Sequence, residues 1–322
     1  MKHIFIFFLA IGLLGCKAKH EKQDSQQTNL LDNVTISASE LNTIVGVLAS
    51  EDKKGRDTGT DGIEASATYI EKQFAAYGIK PYYDTYRDYF KVQDMDAYNV
   101  IGFLEGNDAT LKNEIVVIGA HYDHIGTRAK IVASDSIANG ANDNAAGTAA
   151  VLAMARYFGA KKGNKRSLMF VLFSAEEMGL LGSKHLANRL KTENANLYTV
   201  VNMEMIGVPF TDREYVAFVT GYSKSNMGEK INSYIGSNFL GESEVSKQYN
   251  LFKASDNYPF YEVFNIPSHT ISSCDLSNYD YYHHVDDETD KLDYNHMASL
   301  INTLIPGIEK ITNTATQEIQ LK

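Results

Sequence analysis

Apolar residues recur along this chain at two spacings. Leu41, Ile44, Val45 and Leu48 fall at helical intervals behind Ser37 and Ser39, either of which can cap a helix; Ile63, Ala67, Ile70 and Phe74 do the same behind Asp61. Short apolar runs follow: "YNVIGFL", "EIVVIGA", "SLMFVLF", "YTVVNM" and "EYVAFV". Three are nearly continuous in Val, Ile, Leu and Phe, as strands covered on both faces should be. Helical stretches lie between them, "AAGTAAVLAMARYFG" and "MGLLGSKHLANRL", and a last helix is predicted from about Tyr294 through Met297, Leu300, Ile301 and Leu304. Strand and helix in alternation predict an α/β fold, a three-layer sandwich whose central sheet is mixed but mostly parallel and flanked by helices.

The first residues read differently. Lys2 precedes an apolar run from Ile4 to Leu14 that is too short to span a bilayer and has the layout of a signal peptide. The run ends in Leu13-Leu14-Gly15-Cys16, which resembles the lipobox at which a bacterial lipoprotein is cleaved and lipidated. The segment after it is polar and aperiodic, as a tether is. These readings divide the chain into a signal peptide (1–15), a flexible tether (16–36) and a single catalytic domain (37–315). The protein is then expected to be exported and held to the cell envelope by a lipid on Cys16. With Cys16 and Cys274 its only cysteines, a disulfide framework is excluded, and Cys274 is expected as a packed thiol. A net charge of -10, from 40 acidic and 30 basic residues, argues against a nucleic-acid partner.

Parallel strands place ligand sites beyond their carboxyl ends. There the chain carries His121-Tyr122-Asp123, Asp143 within "GANDNAAG", Ser174-Ala175-Glu176-Glu177, and Glu204; His283 lies later, in "YYHHVDDETDKLDY". Each has an ordinary explanation by itself. A histidine can be structural, Asp143 can cap a helix, paired glutamates can open one, and Glu204 can face solvent. Taken together, imidazoles and carboxylates form a donor set suited to divalent zinc. Carboxylates converging without a cation would repel one another and bind protons instead.

In order, "GAHYDHIG", "GANDNAAGTAA", "FSAEEMGLLGS", "VNMEMIG" and "YHHVDDETDKLDY" resemble metallopeptidase family twenty-eight, over roughly residues 40 to 312. That family comprises co-catalytic zinc aminopeptidases and relatives such as glutamate carboxypeptidases and glutaminyl cyclases. The resemblance implies two zinc ions: His121 and Glu204 on one, Glu177 and His283 on the other, and Asp143 bridging. It implies that Glu176 is the general base and that the Asp123 carboxylate accepts the second N–H of His121 and orients the ring. His284 stands where relatives usually carry threonine and is expected at the rim, and His124 is expected to be structural or to support a ligand from behind. Asp286 and Asp287 are expected to hold their loop through backbone N–H groups, and Arg56 in "GRDTGTDG" to anchor a loop. Glu204 departs from the family's usual aspartate.

The implied activity is removal of N-terminal residues from peptides. Alternatives are a glutaminyl cyclase-like acyl transfer on the same scaffold, or a non-catalytic binding lipoprotein. A carboxypeptidase for acidic C-termini would need a basic pocket that the sequence does not supply. Relatives form part of the substrate wall from the segment Phe252 to Ser272, so Asp256 and Tyr258 are the candidates for substrate contact. The link between "YNVIGFL" and "EIVVIGA" is about ten residues, too short for the protease-associated domain that larger relatives insert near that point.

Overall fold

In the computed structural model, the described residues are Met1 and 34–322, apart from Lys130 and Ala133. The signal peptide, Cys16 and nearly all of the tether lie outside them. Among the described residues, nine strands form one sheet: β1 (Lys80–Pro81), β2 (Arg87–Val92), β3 (Met95–Leu104), β4 (Ile115–His121), β5 (Ser167–Phe173), β6 (Leu197–Met203), β7 (Ala217–Val219), β8 (Leu240–Gly241) and β9 (Ser268–Ser272). Their order is β1-β3-β5-β4-β6-β9-β7-β8, with β2 paired to β3. The middle, β5-β4-β6-β9, is parallel; β3 flanks it antiparallel on one side and β7 on the other.

Every residue of β4, β5 and β6 is buried, because helices cover both faces. Alternate residues face opposite layers, as the pleat requires. Val116, Ile118, Leu168, Phe170 and Leu172 pack with helices α1 (Ala38–Leu48), α2 (Asp61–Ala76), α3 (Gly147–Lys161) and α8 (Tyr294–Asn313). Ile115, Val117, Met169, Val171 and Phe173 pack instead against Leu186, Ala187 and Leu190 of α4 (Leu181–Thr192) and Phe260 of α7 (Asn257–Phe264). Two further helices, α5 (Met227–Ile235) and α6 (Glu244–Gln248), precede α7. No described helix is long and apolar enough to cross a membrane.

The expected elements fall close to their predicted places. Ser37 caps α1 by accepting the Glu40 N–H at 3.2 Å. The run "EYVAFV" shortens to Ala217–Val219, and β9 occupies a stretch with no apolar run to announce it. The strand β9 buries Ser268, His269, Thr270 and Ser272, and it can do so because their polar groups are paired. His269 donates from Nδ1 to the Thr220 carbonyl at 2.7 Å and accepts the Ser225 hydroxyl at Nε2, also at 2.7 Å.

Crossovers on opposite faces leave β4 with β5 on one side and β6 on the other, so a crevice opens at the β4 carboxyl end. His121 is the last residue of β4.

Burial holds His269 neutral, its pKa pushed down to about 4. An unfolded histidine takes a proton near pH 6.5, so stability is complete above that value and is lost as pH falls towards 4. Urea unfolding at pH 7.5 and pH 5 should show a loss at the lower pH of which about 2 kcal/mol disappears in His269→Gln. An unchanged loss in the variant would show that another group titrates.

Candidate metal centre

The donor residues sit where the parallel strands end. The His121 ring is buried, and its Nδ1–H donates to the Asp123 backbone carbonyl at 3.1 Å, which turns Nε2 towards the crevice. Nε2 lies 3.3 Å from Asp143 Oδ1 and 2.9 Å from Glu204 Oε1. Glu204 follows β6 directly, and its other oxygen accepts the Ser255 hydroxyl at 2.7 Å. The side chain, longer than the usual aspartate, thus reaches His121 while its far oxygen is tied down.

Asp143 is held by its backbone. Asp287, fully buried, accepts the N–H groups of Asn142 at 2.8 Å and Asp143 at 2.9 Å. The flanking asparagines moor the same loop to the end of β6: Asn142 accepts the Gly207 N–H, and Asn144 donates to the Met203 carbonyl and accepts the Met205 N–H. A Cβ on Gly147 would lie 2.4 Å from the Met203 carbonyl, so only glycine lets α3 start this close to β6. Arg56 anchors as expected: its buried guanidinium donates to the carbonyls of Leu48, Tyr122, Asn139 and Gly140.

Glu176 and Glu177 follow Ala175, whose φ of 54° turns the chain sharply after β5. His283, at φ 55°, places Nε2 3.0 Å from Glu177 Oε2 and 3.4 Å from Asp143 Oδ2. Tyr282 stacks on the His283 ring with centroids 3.9 Å apart.

Several expectations need correction. The Asp123 carboxylate is not the partner of His121, since Oδ1 stands 3.7 Å from Nδ1 and the backbone carbonyl takes the proton. The carboxylate instead accepts the N–H groups of Glu176 at 3.2 Å and Glu177 at 3.3 Å, bracing the turn that carries both. Tyr258 does not line the crevice: it packs on Phe252 and Tyr261 beside Lys253. Asp256 does not line it either. Its carboxylate is buried without a hydrogen-bond partner, and burial pushes it up to about 7, assisted by Glu204 and opposed by His121. Of the two loop aspartates, Asp287 holds backbone N–H groups, whereas Asp286 is half-buried beside the rim residue His284. His124, expected to be structural or to support a ligand from behind, is fully buried with Nδ1 2.8 Å from Glu177 Oε1, which agrees with the second of these. Its position three residues past His121, on the loop leaving β4, was the one signal that could have flagged it.

Donor atoms of His121, Asp143 and Glu204 lie within 4.8 Å of one another, as do those of His124, Asp143 and Glu177. Asp143 belongs to both groups, one oxygen towards each. Asp143 Oδ2 and His283 Nε2 are buried without a hydrogen-bond partner although acids and imidazoles surround them, which is how lone pairs aimed at a shared cation stand. The residues present therefore fit a pair of divalent ions.

The pattern of Peptidase family M28 matches residues 99–306. The chain belongs to this family. Leupeptin-inactivating enzyme 1 of Streptomyces exfoliatus is 32% identical over 181 residues, 56% of this chain and 36% of that protein. The chain thus spans little more than a third of that curated relative. The structure of a zinc aminopeptidase from Bacillus subtilis superposes with a TM-score of 0.68 at 16% identity, over 90% of this chain and 98% of that one. A Bacteroides thetaiotaomicron glutaminyl cyclase gives 0.67 at 17%, over 87% and 99%. At these identities the two structures establish the fold that this M28 chain shares.

Replacing Asp287 with alanine leaves two buried N–H groups without an acceptor. Urea unfolding of the metal-stripped Asp287→Ala protein at neutral pH should show a loss of at least about 2 kcal/mol. A loss under about 0.5 kcal/mol would mean that Asp287 does not hold the Asp143 loop.

Proposed function

We propose that this protein is a two-zinc aminopeptidase, exported and held to the cell envelope by a lipid on Cys16. The observation that carries the catalytic part is Asp143, its two oxygens turned to two separate sets of histidine and acidic donors. His121, Asp143 and Glu204 hold one ion; Asp143, Glu177 and His283 hold the other. When bound, the zincs polarise a peptide carbonyl and lower the pKa of water.

Glu176 is the proton carrier. It lines the same crevice as the donors, and although the residue is only partly buried, the loss of water around its carboxyl pushes it well above the usual carboxylate range; His121 opposes this and Asp256, Glu204 and Glu177 add to it. A carboxyl raised in this way takes a proton from attacking water and passes it to the leaving amine. Asp123 fixes its backbone, so the base is aimed before substrate arrives.

The crevice continues from these acids into a wall that includes Met205, Phe218, Leu251, Leu276 and Tyr282. That wall suits an apolar side chain on the N-terminal residue, and the acidic floor suits its ammonium group. Among the described lining residues there is no lysine or arginine to receive a C-terminal carboxylate, which weighs against the carboxypeptidase reading.

Glu176→Gln should keep its zinc, by metal analysis of the purified protein, while turnover of a leucine anilide falls at least about a hundredfold. Removing metal with a chelator should abolish turnover and zinc should restore it. Turnover undiminished in Glu176→Gln would reject Glu176 as the base. Formation of pyroglutamate from N-terminal glutamine, with no release of amino acid, would favour the cyclase instead.

The anchoring part rests on "LLGC" and the polar stretch behind it. Cys16→Ser should move the protein from the membrane fraction to the soluble one and abolish labelling by a fatty-acid probe. Unchanged membrane retention without label would rule out lipidation at this residue.

A further inference from the structure

We propose that His124 is a metal ligand, bound through Nδ1 to the same ion as Asp143, Glu177 and His283, and that this makes the two metal positions unequal. The inference rests on the two-metal reading above and adds to it a residue that neither set of ligands includes.

The case begins with placement. His124 follows the Asp123 brace by one residue, is fully buried, and directs Nδ1 at the carboxylates of the second set. Nδ1 stands 2.8 Å from Glu177 Oε1 and 3.7 Å from Asp143 Oδ2. On the other side, His283 Nε2 stands 3.0 Å from Glu177 Oε2 and 3.4 Å from Asp143 Oδ2. Both imidazoles thus stand against the same two carboxylates, His124 on Oε1 and His283 on Oε2 of Glu177, with Asp143 Oδ2 between them. The two imidazoles approach edge to face, ring centroids 5.7 Å apart, so neither blocks the other from the shared carboxylates.

His124 Nε2 is sealed from water without a partner, so Nδ1 is the nitrogen through which the ring engages the site. No loop carbonyl or hydroxyl has been supplied to Nε2, as the Thr220 carbonyl and Ser225 hydroxyl were to His269. Gly140 packs flat against the ring, and a Cβ there would lie 2.5 Å from His124 Cγ and Cδ2. Packing therefore fixes the ring with Nδ1 towards the acids.

The consequence is an asymmetry of function. Four side chains serve the His124 position, whereas His121, Asp143 and Glu204 leave a fourth place open at the other. Glu204 cannot fill that place with its second oxygen, which the Ser255 hydroxyl holds. The ion at His124 is then the tightly held one, and the ion at His121 the exchangeable one.

The test uses the whole chain with ¹⁵N-labelled histidine, loaded with two equivalents of ¹¹³Cd. Three imidazoles should show cadmium–nitrogen coupling, two through Nε2 and one through Nδ1, and the Nδ1 signal should vanish in His124→Gln. In competition with a zinc chelator, the tighter of the two wild-type sites should weaken at least about tenfold in that variant while the weaker site is unchanged. Two couplings, both through Nε2, with the His124 Nδ1 still carrying a proton, would overturn the proposal and leave the aminopeptidase reading intact. A chain that binds no divalent ion would overturn both. Coupling through Nδ1 in a protein that hydrolyses no peptide would uphold this inference and reject the activity. If His124→Gln does not fold, the wild-type spectrum decides alone, because the ring carbon-bound protons distinguish Nδ1 from Nε2.

Discussion

Carboxylates brought together out of water are the constraint around which this end of the sheet is built. Asp123, Asp143, Asp256 and Asp287 are fully or almost fully buried, with Glu176 and Glu177 beside them. Against them stands the buried guanidinium of Arg56, whose own pKa burial pulls down to about 10 while Asp287, Asp143, Asp123 and Glu177 pull it back up. The histidines respond in kind. Burial disfavours the charged form of His283, yet Asp143 and Glu177 lift it to about 10. Without a metal, the cluster therefore draws protons onto His121 and His283. A divalent cation takes over that positive charge and releases the protons, which couples metal binding to pH and to the order of the loops.

Bearing that charge requires a rigid frame, and the frame is made of backbone. Two donor residues lie at or directly after strand termini, His121 on β4 and Glu204 after β6, where the sheet fixes position to within the tolerance a metal site needs. The loops that supply the others are braced by acids that bind backbone rather than metal. Asp287 takes two N–H groups of the Asp143 loop, and Asp123 takes the two N–H groups of the glutamate pair. One type of side chain does both jobs, and only its hydrogen-bond partners tell a brace from a donor.

That distinction explains what was readable from sequence. The strands β4, β5 and β6 were legible because burial on both faces writes an unbroken apolar run, and the donor residues were legible because they stand where those runs stop. The strand β9 was not: "SHTIS" is polar by composition and enters the core only because Asn257, Thr220 and Ser225 meet its side chains. Tertiary partners of that kind leave no periodicity. The same holds for Asp123, whose role turned on whether a carboxylate or a carbonyl lay nearer to His121 Nδ1. It holds also for Tyr258, which shares a segment with the crevice wall but turns its ring to the outer side of α7.

The adjacent pair Glu176-Glu177 shows how far environment can separate like groups. Both are penalised by burial. For Glu177, the repulsion of Asp143 is outweighed by His124 and His283, and its carboxyl falls below the usual range. For Glu176, His121 offers relief, while Asp256, Glu204 and Glu177 add to burial and drive it well above. The left-handed turn at Ala175 and the two bonds from Asp123 are what let neighbours in sequence face such different surroundings. Two acids whose affinities for a proton are pushed apart fall into complementary parts, one remaining ionised to hold a cation and the other exchanging a proton. Swapping their surroundings would swap their parts, so the assignment of base and ligand follows from which side of the turn the imidazoles occupy.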